Sequence, residues 1–517
     1  MSRQALRDLA AGVSLANLCF IGGWDEVLQV NRNSYLRDVS AASVVAVMLD
    51  VLLLGVACAG AVTLARRSGS APALWTTKAA FLLVVLLPLM QIFPDLHVMK
   101  VIRFVFRALE TPDHQIRGSD LNPLFPLLAI ALWPARSVKV TRTVVAFLLP
   151  LTLVTFGRAG WRLGTGNVTA ANADRPLAPP VPRPPRAAPR VVILLFDEMD
   201  FRLAYSARPA GIALPELDRL RAEAFFASQA FPPGRRTEVS VPALLSGRPV
   251  TWDRRRGTDT LLVTFAGTSD TVSWADQPNV FDRARALGYN PGVVGWYHPY
   301  CRLFTHRLTR CFWLPHKGAI FRARARGGLP QQMLDLFWSL NPLGDRGRHI
   351  ADHQGLLAEA RTAVADTSLG LVFVHLAVPH YPPIYDREDE ELTAFNYHIN
   401  GYYDNLVLAD RTLGVLRRTL EEAGLWDRST VVLTSDHSRR AGEDDWRVPF
   451  VVKLAGQHTG GPPPPYRAPF NTVALHDLTL ALLRGEVSGG VARWLDGWRA
   501  ANHHSIDTGS RSTVTFR

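Results

Sequence analysis

RVVILLFDEMD, residues 190–200, is the stretch that decides the fold. An unbroken apolar run gives way to Asp197, Glu198 and Asp200. A strand buried on both faces needs such a Val/Ile/Leu run, and parallel strands are of that kind. The residues that follow it are delivered to the carboxyl edge of the sheet, where α/β proteins keep their sites. LGLVFVHLAVPH (369–380) and STVVLTSDH (429–437) end in the same way, in histidine and in Asp436–His437. ELDRLRAEAFF (216–226) and NLVLADRTLGVLRRTLEEAGLW (405–426) carry helical apolar spacing. Strands alternating with helices predict an α/β domain over 190–490, with a mostly parallel central sheet covered on both faces, and a tail over 491–517.

Upstream, the composition changes. Residues 161–189 read as a linker, Pro-rich in GTGNVTAANADRPLAPPVPRPPRAAP (164–189), which favours polyproline II and a semi-rigid spacer. Residues 1–160 read as a transmembrane helical domain. AASVVAVMLDVLLLGVACAGAVTLA (41–65) and WTTKAAFLLVVLLPLMQIF (75–93) suit spans, which take roughly 20 apolar residues. Shorter runs at 121–133 and 144–157 follow, and LAAGVSLANLCFIGGW (9–24) reads as a retained span, since it lacks a cleavage site.

Five spans with the N-terminus inside place Arg66, Arg67 and Lys78, and also Arg136, Lys139 and Arg142, in the cytoplasm. The rest of the chain then lies outside. Four spans would put it in the cytoplasm. The basic loop over 95–120 is the misfit of the five-span count, and VMKVIRFVFRALE within it suits anionic headgroups. Asp50 falls inside a span, as a functional group or as a carboxylate satisfied within the bundle. The expected location is a bacterial inner membrane, multi-pass, with the α/β domain facing the periplasm or exterior.

The 517 residues carry a net charge of +12. No zinc-finger spacing or basic helical repeat accompanies it, so no nucleic-acid partner is expected, and an anionic membrane face fits the charge. Of the four cysteines, Cys301 and Cys311 flank RLFTHRLTR and would close a small loop in an oxidising compartment, or remain thiols.

FPPGRRTEVSVPALLSGR (231–248) places Thr237 at the start of an apolar helix. Thr237 reads as both helix cap and nucleophile, because the helix start it would cap welcomes an anion. With Asp197 and the Asp436–His437 pair, it makes a donor set suited to a divalent cation, which would activate the hydroxyl.

Taken together, VVILLFDEMD, LPELDRLRAEA, TEVSVPALLSGR, ARALGYNPGVVGWYHP, HLAVPHYPP, STVVLTSDHS, WRVPFVVKL and VALHDLTLALL resemble the catalytic domain of the alkaline phosphatase superfamily, in its sulfatase-like branch. Sulfatases begin the TEVSVP-like piece with a cysteine or serine converted to formylglycine. Threonine there is similar to membrane phosphoethanolamine transferases and lipoteichoic acid synthases, which also carry about five N-terminal spans. The resemblance implies Asp197, Thr237, Asp436 and His437 as metal ligands, with Glu198 the alternative to Asp197. It implies Thr237 as the nucleophile, His380 at the transferred group or its leaving oxygen, and His298 on the substrate side. Trp296 stands where sulfatases keep a sulfate-gripping lysine, and His375 reads as buried in its strand. SRR follows TSDH, and no histidine soon after His437 offers a second-metal ligand, so one divalent metal, zinc or manganese, is expected. Arg235, Arg236, Arg439 and Arg440 would bind a phosphate-bearing head group or be solvated loop charges.

The implied function is a membrane-anchored, metal-dependent phosphotransferase. It would pass a head group from a membrane phospholipid donor, through a phosphothreonine, to an envelope glycan or lipid. The alternatives are a phosphodiesterase or other sulfatase-like hydrolase, and a silent lipid-binding regulator. Oligomeric state is left open.

Overall fold

The three apolar runs lie side by side in the middle of one sheet. The computed structural model describes residues 3–28, 39–70, 143–166, 176–182, 189–256, 259–315, 328–340, 344–396, 401–439, 445–457 and 463–502, with a few short stretches between and beyond them. The strands of the main sheet are β1 (Val191–Phe196), β2 (Phe225–Ala227), β3 (Pro291–Tyr297), β4 (Arg310–Pro315), β5 (Leu371–Leu376), β6 (Thr430–Thr434) and β7 (Phe450–Lys453). Their spatial order is β2-β7-β6-β1-β5-β3-β4. β6, β1, β5, β3 and β4 are mutually parallel, whereas at one edge β7 runs antiparallel to β6, and β2, antiparallel to β7, returns to the common direction. Every residue of β1, β5 and β6 is buried. That is why none of these strands alternates, and each buried Val or Leu contributes about 1.5–3 kcal/mol.

Register sets the site. Leu195 is level with Thr434 on one side and His375 on the other. Asp197 therefore leaves β1 beside the Ser435–His437 turn that leaves β6.

The chain divides into two units. The first comprises residues 1–172, 318–345 and 397–399, and the second comprises the remainder. In the first unit, α1 (Arg3–Cys19), α2 (Ile21–Leu28), α3 (Ala41–Arg67) and α4 (Leu149–Gly164) pack around Phe20, Trp24, Val44 and Val47. Among the described residues, Ala41–Leu64 alone is long and apolar enough to cross a membrane, with a mean hydropathy of 2.4. α1 and α2 qualify only together, as a pair bent by 65°. The expected spans at 75–93 and 121–133 and the loop over 95–120 lie outside the described residues, apart from isolated positions, and the run at 144–157 enters α4. Asp50 is buried in the interior of its unit.

In the second unit, α5 (Pro215–Glu223) and α6 (Thr237–Ser246) come before the strands on the far side of β1. A later segment, α7 (Leu329–Ser339), belongs to the first unit although it lies between β4 and β5 in sequence. α8 (Gly401–Glu422) then precedes β6.

The linker is less free than its composition predicts. The Ala178 N–H donates to the carbonyls of Thr305 (3.2 Å) and Leu308 (3.0 Å), and Asn290 holds the backbone of Val181 through both its amide atoms. At the other end the second unit continues past 490. The helix Val491–Ala501 packs down by Trp498, whose indole N–H donates to Asp477 at 2.9 Å.

Candidate active site

α6 begins at Thr237, with Arg236 in the preceding N-cap position. Thr237 is therefore the first helical residue and not the cap. The backbone N–H groups of Val239 and Ser240 bond to the Arg236 carbonyl, which leaves the Thr237 hydroxyl available for another partner. It donates to Asp436 Oδ2 at 2.7 Å and lies 3.5 Å from His437 Nε2. α6 ends at Gly247, whose φ of +71° is left-handed. A Cβ there would lie 2.6 Å from His476 Nδ1, so glycine is required twice over.

Asp197, Asp436 and His437 are fully buried, and their ligand atoms lie within 4.8 Å of one another. His437 Nε2 is 3.7 Å from Asp197 Oδ1 and 3.5 Å from Asp436 Oδ2. Its Nδ1 is 2.8 Å from the Ser438 carbonyl. A carbonyl can only accept, so Nδ1 carries a proton and Nε2 is turned to the carboxylates. That arrangement is common among metal-bound histidines. Burial resists charge on both partners, yet the Asp436 and Asp197 carboxylates raise the His437 pKa. Burial is likewise overcome at Asp436, held below its ordinary value by His437, His375 and the Thr237 hydroxyl. The pocket favours positive charge. Two buried carboxylates, an imidazole and a hydroxyl are a donor set that fits a divalent cation.

Glu198, the alternative ligand, enters this centre through its backbone. Its N–H donates to Asp436 Oδ1 at 3.3 Å, and its carbonyl accepts from Tyr402 at 2.8 Å. Its φ of +64° turns the chain sharply just after Asp197. Tyr297, beside His298, is also left-handed at +75°. Such backbone costs about 1–3 kcal/mol and gathers at functional sites.

His298, which the resemblance puts on the substrate side, lies beside Thr237. It is fully buried, and its Nε2 lies 3.3 Å from the Thr237 carbonyl. Burial pushes its pKa down to about 3, so the ring is neutral and meets the backbone of Thr237. His380 is half-buried, with Nδ1 at 2.6 Å from the Tyr381 carbonyl and its ring edge-on to Trp296 at 5.3 Å. The loop that carries it is held by the Asn405 amide, which donates to the carbonyls of His380 (2.9 Å) and Pro382 (3.0 Å).

Two features escape the sequence. His375 is buried in β5 as expected, yet its Nε2 also lies 3.7 Å from Asp197 Oδ2, while its Nδ1 meets the Tyr300 hydroxyl at 2.9 Å. Its place in a strand ending in histidine was the available signal. The other is a brace at the residue after Thr237. Glu238 accepts from the Tyr297 hydroxyl and pairs with Arg255 at 3.1 Å, and Arg255 donates to Tyr297 at 2.8 Å. Arg255 comes from the strand Val250–Arg256 of a separate three-stranded sheet, and no spacing in the sequence points to it.

The arginines divide. Arg236 pairs with Asp253. Arg235 lies over the Trp446 ring at 3.8 Å and Arg439 over Tyr402 at 4.9 Å. Arg440 lies outside the described residues. Cys301 and Cys311 form a disulfide, and so close the loop between the segment after His298 and β4.

Residues 337–476 match the family model described as Sulfatase, a stretch that includes His375, His380, Asp436 and His437. No curated protein sequence matches the chain. Among solved structures it is similar to a sulfatase from Pseudoalteromonas sp. (16% identity, 62% of this chain, 75% of that one, TM-score 0.40). It is also similar to the phosphonate monoester hydrolase of Agrobacterium radiobacter (14% identity, 57% and 74%, TM-score 0.37). A third is a protein of the alkaline phosphatase superfamily from Vibrio parahaemolyticus (13% identity, 57% and 66%, TM-score 0.37).

Proposed function

We propose that this chain, which carries a sulfatase domain of the alkaline phosphatase superfamily, is a membrane-anchored, metal-dependent phosphotransferase. The observation that carries the reading is the Thr237 hydroxyl, buried and 2.7 Å from Asp436 Oδ2, beside the Asp197–Asp436–His437 cluster. Formylglycine chemistry has no precursor here, since position 237 is threonine.

Asp197, Thr237, Asp436 and His437 would hold a divalent cation, whose Lewis acidity would favour ionisation of the hydroxyl and offset charge on a phosphoryl group. Thr237 Oγ1 forms a bond to phosphorus as the ester bond to the donor's leaving oxygen breaks in line. His380, the half-buried histidine of the site, is the group suited to giving that oxygen a proton. The oxygen of an acceptor hydroxyl then bonds to phosphorus, its proton passing to the now-neutral His380, and the Thr237–phosphorus bond breaks. His298 and the Glu238–Arg255–Tyr297 brace hold the nucleophile in place through both steps. Arg235 and Arg439, each on an aromatic ring, suit an anionic head group. The donor class is a membrane phospholipid and the acceptor a glycan or lipid of the envelope, with water the acceptor in a hydrolytic reading that the sulfatase match favours.

The disulfide supports an extracytoplasmic location, because such bonds persist in oxidising compartments. Metal analysis tests the reading. The purified full chain should retain about one equivalent of zinc or manganese, and Asp436→Asn or Asp197→Asn should lose it together with turnover of a phosphodiester. Turnover undiminished in metal-free protein would overturn it.

A further inference from the structure

α7, LPQQMLDLFWS, has two apolar faces and only one of them is covered. On the covered face Leu336 is fully buried and joins Phe20, Trp24, Val27, Val44 and Val47, with Met333 and Leu329 packed alongside. Gly23 makes the seat, since a Cβ there would lie 2.7 Å from Leu336 Cδ1. The Phe337 ring meets Phe20 edge-on at 6.0 Å, and Gln332 meets Ser40 at 3.4 Å. The other face exposes Leu334 (50%), Phe337 (44%) and Trp338 (62%), spaced three and four residues apart on one stripe.

The stripe also carries the exposed Gln331–Asp335 pair, hydrogen-bonded at 2.9 Å, and a surface that mixes large apolar side chains with polar ones in this way suits the interfacial zone of a bilayer. Among the described residues, Leu334 and Trp338 stay largely exposed, and Phe337, at the border of the two faces, is partly covered by Phe20. In the same unit, α3 exposes Leu52, Leu53 and Val56 on the segment whose hydropathy suits a span. The medium that covers these leucines is the natural cover for the stripe on α7, which packs against α3. Tryptophan at a stripe's end also suits the bilayer interface. The docking end is set by contacts. Gln332 reaches Ser40, just before the first turn of α3, whereas Arg66 and Arg67 lie at its last turn. α7 thus sits at the end of α3 opposite its paired arginines.

We propose that Leu329–Ser339 is a second membrane anchor, carried inside the catalytic sequence, which seats Leu334, Phe337 and Trp338 in the extracytoplasmic leaflet. It rests on the reading of α3 as a span. The chain leaves the second unit after β4, docks on the membrane helices, and returns before β5, so the catalytic sequence is tethered at two places.

The experiment uses the full chain in nanodiscs of phosphatidylethanolamine and phosphatidylglycerol, in a Cys19→Ser, Cys58→Ser background that keeps the Cys301–Cys311 disulfide. A single spin label replaces Leu334 or Trp338 on α7, or Leu53 on α3. Collisions with oxygen, which concentrates in lipid, are compared with collisions with a water-soluble nickel chelate. All three positions should favour oxygen, and Gly23→Leu, which fills the seat of Leu336, should shift the α7 labels toward nickel and leave Leu53 unchanged. Labels on α7 that favour nickel while Leu53 favours oxygen would overturn the anchor and leave the span standing. Nickel access at all three would overturn both. Labels on α7 shielded from both reagents would mean that protein, such as a second copy, covers the stripe, and would also overturn the anchor.

Discussion

Thr237 owes its place to groups that are remote in sequence. Asp436, its hydrogen-bond acceptor, is 199 residues away, and His298 holds its carbonyl from 61 residues away. In the proposed mechanism, removing the hydroxyl removes the nucleophile and a metal donor together. Thr237→Ala should reduce turnover by about 10⁴-fold or more, on the scale of other nucleophile deletions, and should leave the thermal midpoint within a few degrees of the parent. His298→Gln should lower kcat more than it raises KM, because a neutral ring that holds the Thr237 backbone acts on the aim of its hydroxyl. Steady-state kinetics check both. Glu238→Ala should instead unfold the brace, leaving Arg255 and Tyr297 without their carboxylate partner. Breaking one side of a buried ion pair costs about 3–5 kcal/mol, which chemical denaturation of the variant would show as a lower midpoint.

The elements explain how much was legible in the sequence. β1, β5 and β6 announced themselves because strands buried on both faces are mostly Val, Leu, Ile and Phe, and the acids and histidines after them announced the carboxyl edge. Asp197, Asp436 and His437 were readable for that reason. α6 was readable as well, although Arg236 takes its cap position. The brace was not, because Arg255 reaches Glu238 from a small separate sheet whose strands alternate only partly between buried and exposed. The visit of α7 to the first unit was equally hidden. Its apolar spacing marks a helix but not the neighbour it packs on. Gly247, at the end of α6, gives an element-scale prediction. Gly247→Ala combines a left-handed φ of +71° with a contact at 2.6 Å to His476. A non-glycine residue held there costs about 1–3 kcal/mol before the clash is counted. The variant's midpoint should fall accordingly, while metal content per folded molecule stays unchanged.

The whole second unit should be sensitive to acid. Burial pushes the pKa of His298 down to about 3 and those of His353 and His375 to about 4. A histidine whose folded pKa lies below its unfolded value of about 6.5 contributes stability that is fully present above that pH. The contribution is lost as pH falls toward the folded value, because the unfolded chain takes up the proton first. Thermal midpoints should therefore drop between pH 6.5 and pH 4. His353→Gln, in the helix Gly344–Ala365 and outside the metal cluster, should make that drop shallower. An unchanged slope in this variant would remove His353 from the explanation. Reduction of Cys301–Cys311 should lower the midpoint too, because the bridge restrains the segment that follows His298.

The reading as a whole depends on a covalent bond to one side chain. Peptide mass spectrometry on the full chain, incubated with divalent metal and a bacterial lipid extract and quenched at short times, looks for that bond directly. A phosphoryl-containing adduct on the peptide that carries Thr237, absent from Thr237→Ala, is the expected result, and its mass identifies the transferred group. Product that accumulates with no adduct at any quench time, and at an equal rate in Thr237→Ala, would contradict a threonine nucleophile.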